Sequence, residues 1–170
     1  MTISLRDARD SRRARLWIQS VYRDYLDDLA PDADVFPTLP EIGHREPDQV
    51  AYWFGDPRVH PLIILKDADP VGFAMVARGA GKPVQPPVDY RMAEFFVART
   101  CRRLGIGQSA VQLILSRFAG RWEISCLNNA AAVSFWRRVV TRYTCGNYQE
   151  RIDNDQVRQV FDSARKPRLS

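Results

Sequence analysis

Cysteine is scarce in this chain. The three present, Cys101, Cys126 and Cys145, are odd in number and form no C-x-x-C pair, which excludes a disulfide scaffold and a thiolate metal finger. Histidine is scarcer still: His44 and His60 are too few and too isolated for a zinc cluster, so no metal is expected. No apolar run exceeds six residues, far short of the roughly 20 that a membrane helix needs. The opening Met-Thr-Ile-Ser-Leu-Arg-Asp has no apolar core of the secretory kind. Together these absences point to a cytoplasmic protein with reduced thiols and no membrane partner. Lysine is nearly missing too: Lys66, Lys82 and Lys166 stand against 22 arginines, for a net charge of +5. The arginines cluster at 12–15, 99–103, 137–138 and 165–168, without the contiguous basic stripe and interleaved aromatics of a nucleic-acid binder.

What remains is an ordinary globular composition, 45% hydrophobic and 26% charged over 170 residues, long enough to bury a sizeable core. Residues 2–6 alternate as a short strand. Ile18, Tyr22, Tyr25, Leu26 and Leu29 form one apolar helical stripe that Pro31 ends. Four prolines make 31–47 a loop, and 48–54 reads as a short helix with Val50, Trp53 and Phe54 inward. A hairpin over 60–78 follows, then a Gly/Pro loop at 79–89, a strand at 90–97 and a helix at 106–118 that Gly120 closes as a C-cap. A strand at 122–127, a helix at 130–140 and two β-rich pieces near 141–149 and 156–162 complete a mixed α/β plan.

The chemistry sits between Glu94 and Gly107. A strand ends at Val97, a basic loop carries Arg99, Arg102 and Arg103, and Gly105 and Gly107 lead into an amphipathic helix. Glycines admit a ligand to the backbone, and the helix start offers unpaired N–H groups and a positive dipole end. A diphosphate suits such a cradle; a tight strand-to-helix turn explains the glycines equally well. Ala110 stands where a dinucleotide fingerprint has its third glycine, and no Lys-Ser/Thr pair follows as in a P-loop.

Arg102-Arg-Leu-Gly-Ile-Gly107 resembles the R/Q-x-x-G-x-G/A signature of the GCN5-related N-acetyltransferases, the GNAT superfamily. Asn129, Ala132 and Phe135-Trp136 resemble the N-x-x-A-x-x-F-(Y/W) helix found downstream in that family. The stretch 90–148 is similar to bacterial proteins described only as predicted acetyltransferases. The resemblance implies a single domain over 1–164 with a basic, disordered tail at 165–170. It implies a mostly antiparallel twisted sheet of about seven strands, splayed between strands 4 and 5, with about four helices. It implies transfer of an acetyl group from acetyl-CoA to a primary amine of a small molecule or peptide, by direct attack on the thioester. Homodimers are common in the family.

Residue by residue, the resemblance gives Phe96 and Val97 to the strand end that pairs with pantetheine. It gives Arg102, Arg103, Leu104, Gly105, Ile106, Gly107 and Gln108 to the pyrophosphate. Asn129 matches a side chain near the pantetheine arm and equally suits an N-cap. Phe135 matches an aromatic lining the arm, or is core. Glu94, in apolar company, is the candidate general base, with a buried pair to Arg91 or Arg99 as the alternative; Glu123 is second choice. The general acid is open: Trp136 stands where a tyrosine is common, so either Tyr143 (or Tyr148), approaching from the following strand, is the candidate, or the thiolate leaves unassisted. Asp24, Asp27, Asp28, Asp32 and Asp34 suggest either an acidic rim for a cationic acceptor or a solvated helix end. The competing function is a CoA-binding protein of the same fold that has lost turnover.

Overall fold

The computed structural model describes residues 1–29, 46–79, 87–153 and 155–164, and the side chains of these except 46–48. Most of the loop expected at 31–47, with Asp32 and Asp34, most of that expected at 79–89, and the tail at 165–170 lie outside the described residues; the helix expected at 48–54 begins two residues earlier, at Glu46. In chain order the elements are β1 (Ile3–Asp7), α1 (Arg12–Leu29), α2 (Glu46–Gly55), β2 (Val59–Lys66), β3 (Asp69–Arg78), β4 (Tyr90–Val97), α3 (Ile106–Arg117), β5 (Arg121–Leu127), α4 (Ala130–Thr144), β6 (Gln149–Asp153) and β7 (Gln156–Asp162).

The strands form one seven-stranded sheet in the order β1-β2-β3-β4-β5-β7-β6. Every neighbouring pair is antiparallel except β4 and β5. These two pair only at Tyr90–Trp122 and Arg91–Glu123, and then part. The sheet is thus splayed between its fourth and fifth strands.

Hydrophobic periodicity decides which face each helix covers. On α1 and α2, Ile18, Tyr22, Leu26, Val50 and Trp53 bury themselves on Ile63, Phe73, Met75 and Phe96. On the opposite face, Val111, Ile114 and Leu115 of α3 and Trp136, Val139 and Val140 of α4 pack on Leu62, Ala74, Val76, Trp122 and Ile124. β4 changes allegiance part-way along. Met75 lies opposite Glu94 but Val76 lies opposite Met92, so Ala93 is an extra residue in the ladder, a β-bulge. Met92 therefore faces α3 and α4, while Glu94 and Phe96 face α1 and α2.

Two expectations are corrected here. Helix α4 does not stop at 140 but runs to Thr144, and the next strand begins only at Gln149. The β-branched run Val139-Val140-Thr141 reads as strand, yet Val140 and Thr144 continue the buried stripe of the helix, and tertiary burial overrides propensity. Cys145 at φ 52° and Gly146 at φ 82° then reverse the chain, and both N–H groups donate to Thr141 O. Nor does Gly120 cap α3, which ends at Arg117 with Phe118 as its cap. Gly120 instead allows a close approach: a Cβ there would stand 2.7 Å from Asp89 Oδ2.

Candidate active site

Glu94 projects from the middle of β4 under α1 and α2, with 3% of its surface exposed. Among the described residues no arginine pairs with it. Its oxygens accept from the Tyr22 hydroxyl at 2.9 and 2.8 Å, Trp53 Nε1 at 3.1 Å and Gln49 Nε2 at 3.5 Å. Burial disfavours the charged carboxylate and pushes its pKa up to about 8; the Tyr22 and Trp53 hydrogen bonds oppose that rise without cancelling it. Burial also raises Tyr25, helped by the negative charge of Glu94. The three donors were invisible in sequence because Tyr22 and Trp53 sit on apolar stripes as core residues. Only their polar tips carry the second role.

The next candidate group is a backbone one. Ala98 N–H donates to Val71 O at 2.9 Å on β3. Strand alternation therefore turns the Val97 N–H the other way, into the opening between β4 and β5. The peptide unit that carries this N–H ends in Phe96 O, which faces Gly72. A Cβ at position 72 would stand 2.3 Å from that oxygen, so glycine is what lets the unit keep its tilt. The Phe96 side chain does not reach the opening: it packs against Tyr25 and Phe73 under α1.

The loop after β4 makes one 3-10 turn at Arg99–Cys101, passes Arg103 at φ 63° and reaches Gly105 at φ 77°. Gly105 stands at the N-cap of α3 with no side chain to cap it. Ser109 N–H is the first to bond back, to Gly105 O at 3.0 Å. The N–H groups of Ile106, Gly107 and Gln108 precede it, the unsatisfied donors that every helix start presents. Ile106 is buried while Arg103 and Leu104 are exposed. Gly107 admits the Phe135 ring, whose Cε2 would lie 3.2 Å from a Cβ there. Phe135 stacks on Phe95 at 5.9 Å, and Trp136 meets both rings. Aromatic side chains from α4 thus pack against β4 and the first turn of α3.

Arg102 points away from the cradle. Its Nε donates to Val97 O at 2.8 Å, its Nη2 bonds Asp28 Oδ2, and its guanidinium lies over Phe96, 5.5 Å from the ring centre. Arg99 also binds Asp28, at 3.0 Å. The expected acidic rim is therefore partly neutralised: Asp28 holds two arginines, and Asp27 pairs with Arg23 at 3.3 Å. Asn129 caps α4, its Oδ1 accepting from Ala132 N at 2.9 Å.

Tyr143 is not brought to the site. It lies on α4 rather than on a strand, and its hydroxyl is 3.4 Å from Ser116 Oγ and from Ser163 O. Ser116 is near the C-terminal end of α3, about 14 Å along the axis from the glycines at its start. Tyr148, whose hydroxyl accepts from Thr141 Oγ1 at 3.3 Å, also packs in the α3–α4 layer.

The family model described as Acetyltransferase (GNAT) family matches residues 18–140. Among curated proteins, none matches this sequence. Solved structures share the fold at low identity. An acetyltransferase from Thermus thermophilus is 15% identical with a TM-score of 0.68, covering 95% of this chain and 97% of its own. A PaiA N-acetyltransferase from Thermoplasma acidophilum, in complex with coenzyme A, is 11% identical with a TM-score of 0.60, covering 95% and 99%. The ribosomal-protein-S18-alanine N-acetyltransferase of Escherichia coli is 11% identical with a TM-score of 0.59, covering 99% of each.

Proposed function

Because this chain belongs to the GNAT acetyltransferase family, we propose that it transfers an acetyl group from acetyl-CoA to a primary amine, with Glu94 as general base and the Val97 N–H as oxyanion donor. The observation that carries the reading is one strand, β4, presenting a buried carboxylate of raised pKa and an outward-facing amide beside the splay. The residues fit the co-substrate. The start of α3 offers main-chain donors suited to a pyrophosphate, and the open edge of β4 offers pairing groups for the pantetheine amides. Acetyl-CoA supplies the thioester; the chain supplies position, a proton acceptor and a hydrogen bond.

An alkyl amine of pKa about 10.4 reaches neutral pH protonated, a handicap of roughly 4–5 kcal/mol. Glu94, with a pKa of about 8, is a stronger base than an exposed glutamate and takes that proton through a water. The neutral nitrogen attacks the thioester carbon and the C–N bond forms; the C–S bond then breaks, and the proton that the new amide nitrogen sheds passes through water to the departing thiolate, which leaves as the thiol of coenzyme A. The Val97 N–H meets the charge that develops on the carbonyl oxygen. Trp136 stands beside Phe135 where a tyrosine would supply an acid to the thiolate, which favours the second reading, a CoA-binding protein with weak or no turnover. We also place the protein in the cytoplasm, where its three free thiols would stay reduced.

Glu94→Gln separates the two readings. If Glu94 is the base, the variant binds acetyl-CoA by calorimetry as the wild type does, and thiol release from an amine falls about 10²–10⁴-fold. Wild-type kcat/KM then rises with pH to a plateau above about 8. Turnover unchanged by the substitution refutes the role of Glu94, and coenzyme A binding without turnover of any amine supports the second reading.

A further inference from the structure

The sheet face that carries Glu94 continues past the splay. Glu94 lies opposite Met75 and Arg91 opposite Ala77, whose side chains both pack beneath α1 and α2. Arg91 is in register with Glu123, Ser125 with Arg158, and Arg158 with Arg151. Glu123, Ser125, Arg158 and Arg151 therefore share the face of Glu94. Helix α4 packs on the other face, where its Arg137 binds Glu150 of β6 at 2.6 Å.

Two features of this face are costly unless something binds there. Arg151 and Arg158 are direct cross-strand neighbours of like charge, an arrangement that destabilises a ladder. Arg158 Nε stands 3.4 Å from Glu123 Oε1, and exposed Arg151 has no ion pair among the described residues. Glu123 itself is 7% exposed, and its Oε2 has no hydrogen-bond partner among the described residues, a costly state for a buried carboxylate oxygen. An anion would relieve the arginines, and an N–H donor would satisfy Glu123.

We propose that the acceptor amine carries an oxyanion, a carboxylate or a phosphate, and that Arg158 and Arg151 bind that group while Glu123 Oε2 accepts an N–H from the same molecule. The proposal rests on the acetyl-transfer reading, since it assigns the acceptor of that reaction. Two arginines directly opposite each other on neighbouring strands suit a two-oxygen anion. It reverses the cationic acceptor that the aspartates of α1 suggested.

The test uses matched acceptors with the full chain and saturating acetyl-CoA: L-phenylalanine against phenethylamine, L-lysine against cadaverine, and O-phosphoethanolamine against ethanolamine. The expected result is a preference of at least tenfold in kcat/KM for the anionic member. The first two pairs report a carboxylate and the third a phosphate. Arg158→Gln and Arg151→Gln should collapse that ratio toward one, mainly through KM, while Arg138→Gln on the exposed side of α4 leaves it intact. Equal or better use of the plain amines, or a ratio that survives both arginine substitutions, overturns the assignment. If acetyl-CoA binds but no acceptor is turned over, the transfer reading fails separately. The subsite is then read by thermal shift: stabilisation by phenylalanine or phosphoethanolamine, absent with their plain amines and lost in Arg158→Gln, upholds it. No such difference overturns it.

Discussion

Glu94 leaves water on folding but keeps its proton donors. Its pKa of about 8 stands above the ordinary 4.5, so the folded chain holds a proton there that the unfolded chain has released between those values. The stability this site contributes is complete below about pH 4.5 and is lost as pH rises through 8. His60 acts in the opposite sense: burial lowers its pKa below 6.5, so its gain is complete by about pH 7. Hydrogen bonds from Arg58 and Arg137 lower Asp56 and Glu150, and both act below the window in question. Urea unfolding should therefore show the wild type losing on the order of 1 kcal/mol between pH 7 and 8.5, and Glu94→Gln losing none of it. Gly72 offers a second test at this scale. Gly72→Ala drives a methyl toward Phe96 O and should cost about 1–3 kcal/mol by urea melt. Because that oxygen and the Val97 N–H belong to one peptide unit, kcat should fall as well. The burial and raised pKa of Glu94 were legible in sequence from a carboxylate among Phe95, Phe96 and Val97. Its partners were not, because the hydroxyl of Tyr22 and the indole of Trp53 come from helices 72 and 41 residues away.

At the scale of elements, the loop between β4 and α3 is tied to α1 through Asp28. Arg99 and Arg102 both end on that carboxylate, and Arg102 also holds Val97 O. The loop that would meet a pyrophosphate thus takes its shape partly from the helix above Glu94. The pairs are partly exposed, so each contributes at most about 1 kcal/mol. Asp28→Asn should weaken acetyl-CoA binding a few-fold by calorimetry, and high salt should shrink the difference between variant and wild type. Tyr143 belongs to the far end of the α3–α4 layer on the other face of the sheet, so Tyr143→Phe should leave kcat within about twofold, measured by thiol release. The glycine pair and the Asn129 cap could be read from spacing because they answer local rules of helix ends. The full length of α4 could not, since only its burial against β5 and β7 overrides a β-branched run.

For the whole molecule, the sheet consists of two hydrogen-bonded halves, β1 to β4 and β5 to β6, joined by two residue pairs at the foot of the splay. A ligand that pairs with the free edge of β4 and the start of α3 would lock the upper part. Acetyl-CoA at a hundred times its Kd should stabilise the fold by about 2.7 kcal/mol, a rise of several degrees in Tm. The α/β order and the strand count were legible, because the hydrophobic periods are strong and the glycine motif marks one strand-to-helix junction; the splay was expected only from the family resemblance. The shared face of Glu94 and the β7–β6 arginines was not, because register across five strands has no local signature. The surplus residue at Ala93 has a consequence at this scale. A bulge bends its strand, and β4 leaves β5 two positions earlier, right after Arg91. Excise that one alanine and the strand would straighten, the parallel ladder would zip onward past Trp122 and Glu123, and the sheet would be better knit with no slot left for a thioester.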